Sequence, residues 1–142
     1  MGPYYPVFLD LRDRPVVVIG GGRVAARKAA GLVEAGARVR VIAPQVGRGV
    51  RAQAVERRRY RKGDLRGAAL VFAATDDRAV NQAVGEEARR RRIPVNVADR
   101  AEECTFLVPA RVKRGEIQIA ISTSGRSPRL ARELRRRLEK LL

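Results

Sequence analysis

The segment VVVIGGGRVAARK, residues 16–28, restricts the possible folds more than any other part of the chain. Residues 16–19 form a short apolar run rich in β-branched side chains, typical of a strand buried on both faces of a parallel sheet. Three glycines follow, and apolar residues then recur at helical spacing as far as Val33, before Gly36 ends the helix. The segment therefore predicts the first strand and helix of an alternating α/β fold.

The rest of the first 110 residues continues the alternation. Asp76 or Asp77 is placed to cap a second helix, whose apolar residues recur at helical spacing as far as Ala88. Four further strands are predicted at 37–44, 54–60, 68–75 and 93–99, and the charge of 54–60 favours a sheet edge. This order predicts a Rossmann-like parallel sheet with strand order 3-2-1-4-5.

The pattern changes after Pro109. Residues 116–123 alternate as in an antiparallel strand with one covered face, and Ser127 with Pro128 marks the start of a last helix. One face of that helix carries a narrow leucine stripe that needs a partner surface, either the chain's own sheet or another subunit. The stripe consists of Leu130, Leu134, Leu138 and Leu141. We therefore expect two domains, residues 1–110 and a small α+β segment at 111–142.

The composition removes several kinds of chemistry. The chain has no histidine and one cysteine, Cys104, so histidine-based catalysis, an internal disulfide and a cysteine pair for a metal are excluded. Proton transfer must therefore rely on Asp, Glu, Lys, Tyr or the substrate itself. No apolar run is long enough to cross a membrane, and the N-terminus lacks the pattern of a signal peptide, so we expect no membrane association and a cytoplasmic location.

The formal net charge of +16 has three explanations: a bias towards arginine on solvated faces, binding of nucleic acid, or attraction of a polyanionic small molecule. Aromatic residues make up only 4% of the chain, which leaves little material for base stacking. We therefore expect no specific nucleic-acid partner.

The glycine turn matches G-x-G-x-x-A from Gly20 to Ala25. In this motif the first glycine permits a sharp turn, and the second, Gly22, lets a pyrophosphate approach the backbone. The small Ala25 lets helix and strand pack closely. The helix that begins near Arg23 directs free N–H groups at the phosphates. The turn predicts a dinucleotide site, with a purely structural turn as the alternative.

The acidic residue that usually holds the ribose of a dinucleotide is missing. No acid lies between Glu34 and Glu56, and the second strand ends at Pro44 and Gln45, whose amide can hydrogen-bond a ribose hydroxyl. Arg38 and Arg40 suggest a 2′-phosphate and NADP, but both precede the strand's end, which favours surface positions on the strand.

Asp99 follows the fifth predicted strand. Ligands of open α/β sheets bind at the carboxyl ends of the strands, so Asp99 is expected at the same rim as the glycine turn. The alternative interpretation of Asp99 is a turn-former or helix cap.

Long stretches of the chain resemble the precorrin-2 dehydrogenase and sirohydrochlorin ferrochelatase family, the module at the front of siroheme synthase. They are FLDLRDRPVVVIGGGRVAARKAAGLVEAGARVRVIAP, ATDDRAVNQAV, and IPVNVAD with CTFLVPARVKRGEIQIAISTSGRSPRLARELRRRLE. The block AISTSGRSPRLAR is more specific than the glycine turn. The resemblance covers essentially the whole chain.

The resemblance implies an NAD-dependent oxidation of precorrin-2 to sirohydrochlorin, followed in many members by insertion of ferrous iron, which is a lyase activity. It also implies a homodimer built on the segment after the Rossmann part, and it makes Asp99 the key carboxylate. An acid at the second strand is not typical of the family either. The implied NAD contacts are Gly20, Gly21, Gly22, Arg23, Val24, Pro44, Gln45, Ala74 and Thr75.

The chain also departs from the family. Members usually continue with a helical segment beyond the position of Leu142, which leaves iron insertion open. Some relatives carry a phosphorylated serine where this chain has Thr123, between Ser122 and Ser124. The alternative function is a non-catalytic NAD-sensing regulatory module, although such modules usually keep the acid at the second strand.

Overall fold

The computed structural model describes residues 3–142 and divides into two compact units. One unit comprises residues 7–106, and the other comprises residues 107–142 together with residues 3–6. The first unit contains β1 (Pro15–Ile19), α1 (Arg23–Glu34), β2 (Arg38–Ile42), β3 (Ala54–Glu56), β4 (Leu70–Ala73), α2 (Arg78–Arg90), β5 (Val95–Val97) and a 3-10 helix (Ala101–Glu103).

The five strands of the first unit form one parallel sheet in the order β3-β2-β1-β4-β5. The predicted Rossmann-like sheet and its strand order are confirmed. The strand order reverses between β1 and β4, so a crevice for a ligand is expected at the carboxyl ends of these two strands.

Alternate residues of β1 enter two separate cores, which explains its unbroken apolar sequence. Val16 and Val18 pack in the cluster that contains Ala25 and Ala29 of α1. Val17 and Ile19 pack in the cluster that contains Val84 of α2. A central parallel strand is covered on both faces, so each of its side chains contributes to burial of apolar surface.

The ends of the elements follow local hydrogen bonds. Asp77, one of the two predicted caps, accepts hydrogen bonds from the backbone N–H groups of Ala79 and Val80, at 3.0 and 3.3 Å. The third strand ends at Glu56, earlier than the predicted residue 60, because the N–H of Arg58 donates to the carbonyl of Glu56 and turns the chain.

The second unit is a hairpin and a helix. It contains β6 (Ala110–Arg114), β7 (Ile117–Ile121) and α3 (Pro128–Leu141), and the two strands pair antiparallel, as predicted for the second of them. The sequence did not reveal β6, because RVKR offers one apolar side chain among three charges. The Ser127 hydroxyl accepts from the N–H of Leu130 at 3.2 Å, which confirms the predicted cap.

Among the residues described, no helix has both the length and the apolar character needed to cross a membrane.

Candidate functional site

The glycine turn is pressed against the loops that follow β4 and β2. Gly20 has a φ of +135°, which non-glycine residues rarely adopt, and a Cβ on it would lie 2.2 Å from the carbonyl oxygen of Ala74. A Cβ on Gly21 would lie 2.1 Å from the carbonyl oxygen of Gln45. The first two glycines are therefore required by the approach of other backbone segments.

Gly22 differs from its two neighbours, because a Cβ on it would meet no atom within 4 Å. It is the exposed N-cap of α1, and no side chain caps the helix there. The first turn of an α-helix has N–H groups without partners inside the helix, and they carry partial positive charge. The open space beside Gly22 is therefore shaped and charged to take a phosphate group, which fits the predicted dinucleotide.

The loop after β2 runs along this turn. Pro44 and Gln45 are exposed, and the N–H of Gly47 donates to the carbonyl of Gly21 at 2.9 Å. Arg38 and Arg40 both have other partners: Arg38 donates to the Asp13 carbonyl at 3.0 Å, and Arg40 pairs with Glu56. This agrees with the interpretation of the two arginines as surface residues of the strand.

The nine residues implied as NAD contacts thus fall into three segments, the glycine turn and the loops after β2 and β4. The two close approaches at Gly20 and Gly21 join these segments at one rim of the sheet. Arg23 and Val24, in the first turn of α1, are exposed beside Gly22. Ala74 is buried and Thr75 half-buried at the end of β4.

Asp99 lies in the turn that follows β5, with its side chain 39% exposed. Arg78 donates to its Oδ1 from Nη1 at 3.0 Å, and Asn81 donates to the same oxygen from Nδ2 at 3.1 Å. Within residues 3–142 these two hydrogen bonds are the ones that reach Asp99, and both end on Oδ1. Oδ2 accepts no hydrogen bond within residues 3–142.

Asn81 connects Asp99 to the end of β4. Its side chain is fully buried on α2, and its amide exchanges three hydrogen bonds with Thr75 in addition to the one with Asp99. Arg78, also on α2, pairs with Glu103 of the 3-10 helix at 2.6 Å. A continuous polar network therefore runs from Thr75, an implied cofactor contact, to Asp99, the implied catalytic residue.

Cys104 is close to this network without belonging to it. Its thiol donates to the Val97 carbonyl at 3.3 Å and accepts from the Val97 N–H at 3.1 Å. Burial raises the pKa of the Cys104 thiol, so the reactive thiolate is disfavoured. Cys104 therefore packs against β5 and forms hydrogen bonds with it.

Sequence reasoning missed Arg78, Asn81 and Glu103. Asn81 offered a signal, because it lies on the same helical face as the buried Val84 and Ala88, where an apolar residue is the ordinary choice. A polar residue at a buried helix position must have partners, so its presence indicates a network. Arg78 and Glu103 gave no comparable signal among so many charged residues.

Two family models match this chain. One, described as "Putative NAD(P)-binding", covers residues 7–110, and the other, described as "Sirohaem biosynthesis protein central", covers residues 114–141. The first model spans the whole sheet and the glycine turn. The predicted NAD cofactor is confirmed by this match together with the structural likeness described below.

Curated siroheme synthases and a solved precorrin-2 dehydrogenase are also similar to this chain. Siroheme synthases of Methylobacillus flagellatus and Nitrosospira multiformis are 46% identical in alignments 143 and 149 residues long, gaps included, which cover 96% and 98% of this chain. These regions are 31% and 32% of the two relatives, so the chain spans about a third of their length. A solved precorrin-2 dehydrogenase is 33% identical with a TM-score of 0.83, over 98% of this chain and 71% of the other.

Proposed function

Because the chain belongs to the precorrin-2 dehydrogenase family of sirohaem biosynthesis, we propose that it catalyses the NAD-dependent oxidation of precorrin-2 to sirohydrochlorin. The observation that carries this proposal is the location of Asp99. Asp99 follows β5, the strand beside β4, and Asn81 links it to Thr75 at the end of β4, next to the reversal of the strand order.

We assign cofactor binding to the glycine turn and the two loops beside it. Gly22 and the first N–H groups of α1 would hold the pyrophosphate, and Gln45 would take the place of the usual ribose acid. Ala74 and Thr75 would contact the cofactor at the end of β4, and Asn81 links Thr75 to Asp99. A neutral amide at the ribose lacks the positive charge that a 2′-phosphate requires, which supports NAD over NADP.

The reaction removes one hydride and one proton from precorrin-2. NAD supplies the hydride acceptor, and the released proton needs a base close to the macrocycle. Asp99 accepts that proton on Oδ2, the oxygen to which neither Arg78 nor Asn81 donates. The positive charge of the chain attracts a substrate that carries many carboxylates.

Insertion of ferrous iron into sirohydrochlorin is a second candidate activity, favoured by the same free oxygen. Iron displaces two pyrrole N–H protons, and the Asp99 carboxylate is placed to accept protons at this rim. Within residues 3–142 no group of three or more Cys, Asp or Glu side chains could hold a resident metal ion, so the iron would act as a substrate.

We also propose that the protein is a cytoplasmic homodimer assembled through the hairpin and helix of residues 107–142. Val112 and Ala131 are the residues of this unit that are buried. Ile117 and Leu130 are 53% and 45% exposed, so two strands and one helix leave apolar surface uncovered. A second copy of the unit would cover it.

An anaerobic assay tests the proposed function. Purified protein, precorrin-2 and NAD should give sirohydrochlorin absorbance and an equal amount of NADH, and ferrous iron added afterwards tests chelation. Protein that binds NAD but leaves precorrin-2 unchanged would support the NAD-sensing alternative. Tight DNA binding that persists at physiological salt would support a nucleic-acid binder.

A further inference from the structure

The Asn81 amide makes four hydrogen bonds, three with Thr75 and one with Asp99. Its Oδ1 accepts from the Thr75 N–H at 3.2 Å and from the Thr75 hydroxyl at 2.7 Å. Its Nδ2 donates to the Thr75 carbonyl at 3.0 Å and to Asp99 Oδ1 at 3.1 Å. The side chain is completely buried, so water does not compete for these bonds.

The partners allow only one orientation of this amide. A backbone N–H can only donate, so the atom that faces Thr75 N must be the oxygen of Asn81. A carboxylate can only accept, so the atom that faces Asp99 must be the amide nitrogen. Asparagine is therefore matched to both neighbours at once, whereas the isosteric aspartate has no donor for Asp99.

We propose that Asn81 is a positioning residue for Asp99, which orients the carboxylate so that Oδ2 receives the substrate proton. This inference rests on the proposed function for the identity of that proton. Asn81 and Arg78 both donate to Oδ1, so rotation of the carboxylate would break two hydrogen bonds. Asn81 also forms hydrogen bonds with the backbone and the hydroxyl of Thr75, an implied cofactor contact. It therefore fixes the position of Asp99 relative to Thr75.

The charged groups around Asp99 set the expected effect of a substitution. Arg78 of α2 faces Asp99 directly, Glu103 of the 3-10 helix lies on the other side of Arg78, and Arg89 lies 4.0 Å from Glu103. Replacing Asn81 by aspartate adds a carboxylate beside Asp99 without changing the shape. Two carboxylates at hydrogen-bonding distance share a proton, so one of them ionises only at higher pH.

The test is the Asn81→Asp variant, with Asn96→Asp as a matched control. Asn96 is a buried asparagine of β5 whose amide donates to the Phe106 carbonyl at 3.1 Å and not to Asp99. In Asn81→Asp, the acidic limb of the kcat/KM profile should move to higher pH by about one unit or more, because the base must be ionised to act. In the Asn96→Asp control, the acidic limb of the kcat/KM profile should stay at the pH found for the protein without substitutions.

A second readout needs neither cofactor nor turnover. The Asp99 carboxyl carbon can be followed by NMR in ¹³C-labelled apoprotein, in the unchanged chain, in both Asp variants and in Asn81→Ala, which serves if Asn81→Asp does not fold. Its titration midpoint should move to higher pH in Asn81→Asp, and less in Asn81→Ala, which removes one donor to the carboxylate.

Unchanged titration of Asp99 in the Asn81 variants, or an equal movement in Asn96→Asp, would overturn the positioning role. If the unchanged protein fails to oxidise precorrin-2 while the NMR shift is present, the proposed reaction is wrong and the positioning stands. If the protein oxidises precorrin-2 but the NMR shift is absent, the proposed reaction stands and the positioning role is wrong.

Discussion

At the scale of single residues, the three adjacent glycines of the turn serve different purposes. Gly20 and Gly21 must be glycine because the backbone of Ala74 and of Gln45 occupies the space that their side chains would need. A Cβ on Gly22 would meet no atom within 4 Å, so packing within the protein does not require glycine there. No packing contact within the described residues requires glycine at this position. We therefore attribute the glycine to the approach of a ligand.

We predict that Gly21→Ala and Gly22→Ala separate folding from cofactor binding. Gly21→Ala should lower the free energy of unfolding by about 3 kcal/mol, since the new methyl overlaps fixed backbone. Gly22→Ala should leave that free energy nearly unchanged and weaken NAD binding at least about tenfold, or ~1.4 kcal/mol. Denaturant unfolding and calorimetric NAD titration measure the two effects. Tight NAD binding by Gly22→Ala would remove the glycine turn from the cofactor site.

Cys104 permits a second prediction at this scale. Because burial raises the pKa of its thiol, alkylation at neutral pH should be much slower in the folded protein than in the denatured protein. Cys104→Ser should keep the full rate of precorrin-2 oxidation. Rapid alkylation with loss of activity, prevented in the serine variant, would show that the thiol takes part in the reaction.

At the scale of elements, α2 attaches to its surroundings at both ends of its buried face. Arg78 and Asn81 near its N-terminus hold Asp99, and Glu87 near its C-terminus accepts hydrogen bonds from Tyr60, the Gly63 N–H and Arg91. Burial alone would raise the pKa of Glu87, but these hydrogen bonds outweigh it and hold the pKa below its usual range. The helix that positions the base is thus fixed against the loop after β3.

We predict that Glu87→Gln lowers the free energy of unfolding by about 2 kcal/mol at neutral pH, since charged hydrogen bonds are lost in a buried site. A lowered folded-state pKa stabilises the fold above the unfolded value of about 4.3, and this contribution is lost as the pH falls through the folded value. The difference between the unchanged protein and Glu87→Gln should therefore shrink in acid.

The matched control is Glu86→Gln, an exposed neighbour on the same helix that accepts from Gln82 at 3.1 Å. It should change the free energy of unfolding by less than about 0.5 kcal/mol at any pH. Urea unfolding at several pH values measures both variants. A pH-independent loss in Glu87→Gln would mean that packing, and not the carboxylate, matters at this position.

At the scale of the whole molecule, the sequence predicts the sheet well because buried parallel strands leave long apolar runs. β1 and β4 are examples, and their pairing and order follow from the alternation with helices. The short β6 and the network around Asn81 were not predicted, because they depend on which polar atoms meet after folding. The location of Asp99 after the carboxyl end of β5 follows from topology, whereas its hydrogen bonds to Arg78 and Asn81 do not.

The proposed dimer gives a prediction at this scale. Replacing both Ile117 and Leu130 by lysine should convert the dimer to monomer in sedimentation experiments, since it places charge on exposed apolar surface. Gln118→Lys adds charge at an exposed position on the other face of β7 and should leave the dimer intact. A monomeric unchanged protein, or a dimer that survives the double substitution, would contradict the proposed interface.

The central claim is that Asp99 is the base of an NAD-dependent oxidation at this rim. The most direct measurement compares the unchanged protein with Asp99→Asn in single-turnover oxidation of precorrin-2, after NAD affinity has been measured for both. We expect equal amounts of sirohydrochlorin and NADH from the unchanged protein, and a rate reduced by about 100-fold or more in Asp99→Asn with NAD affinity preserved. Full activity of Asp99→Asn would contradict the account.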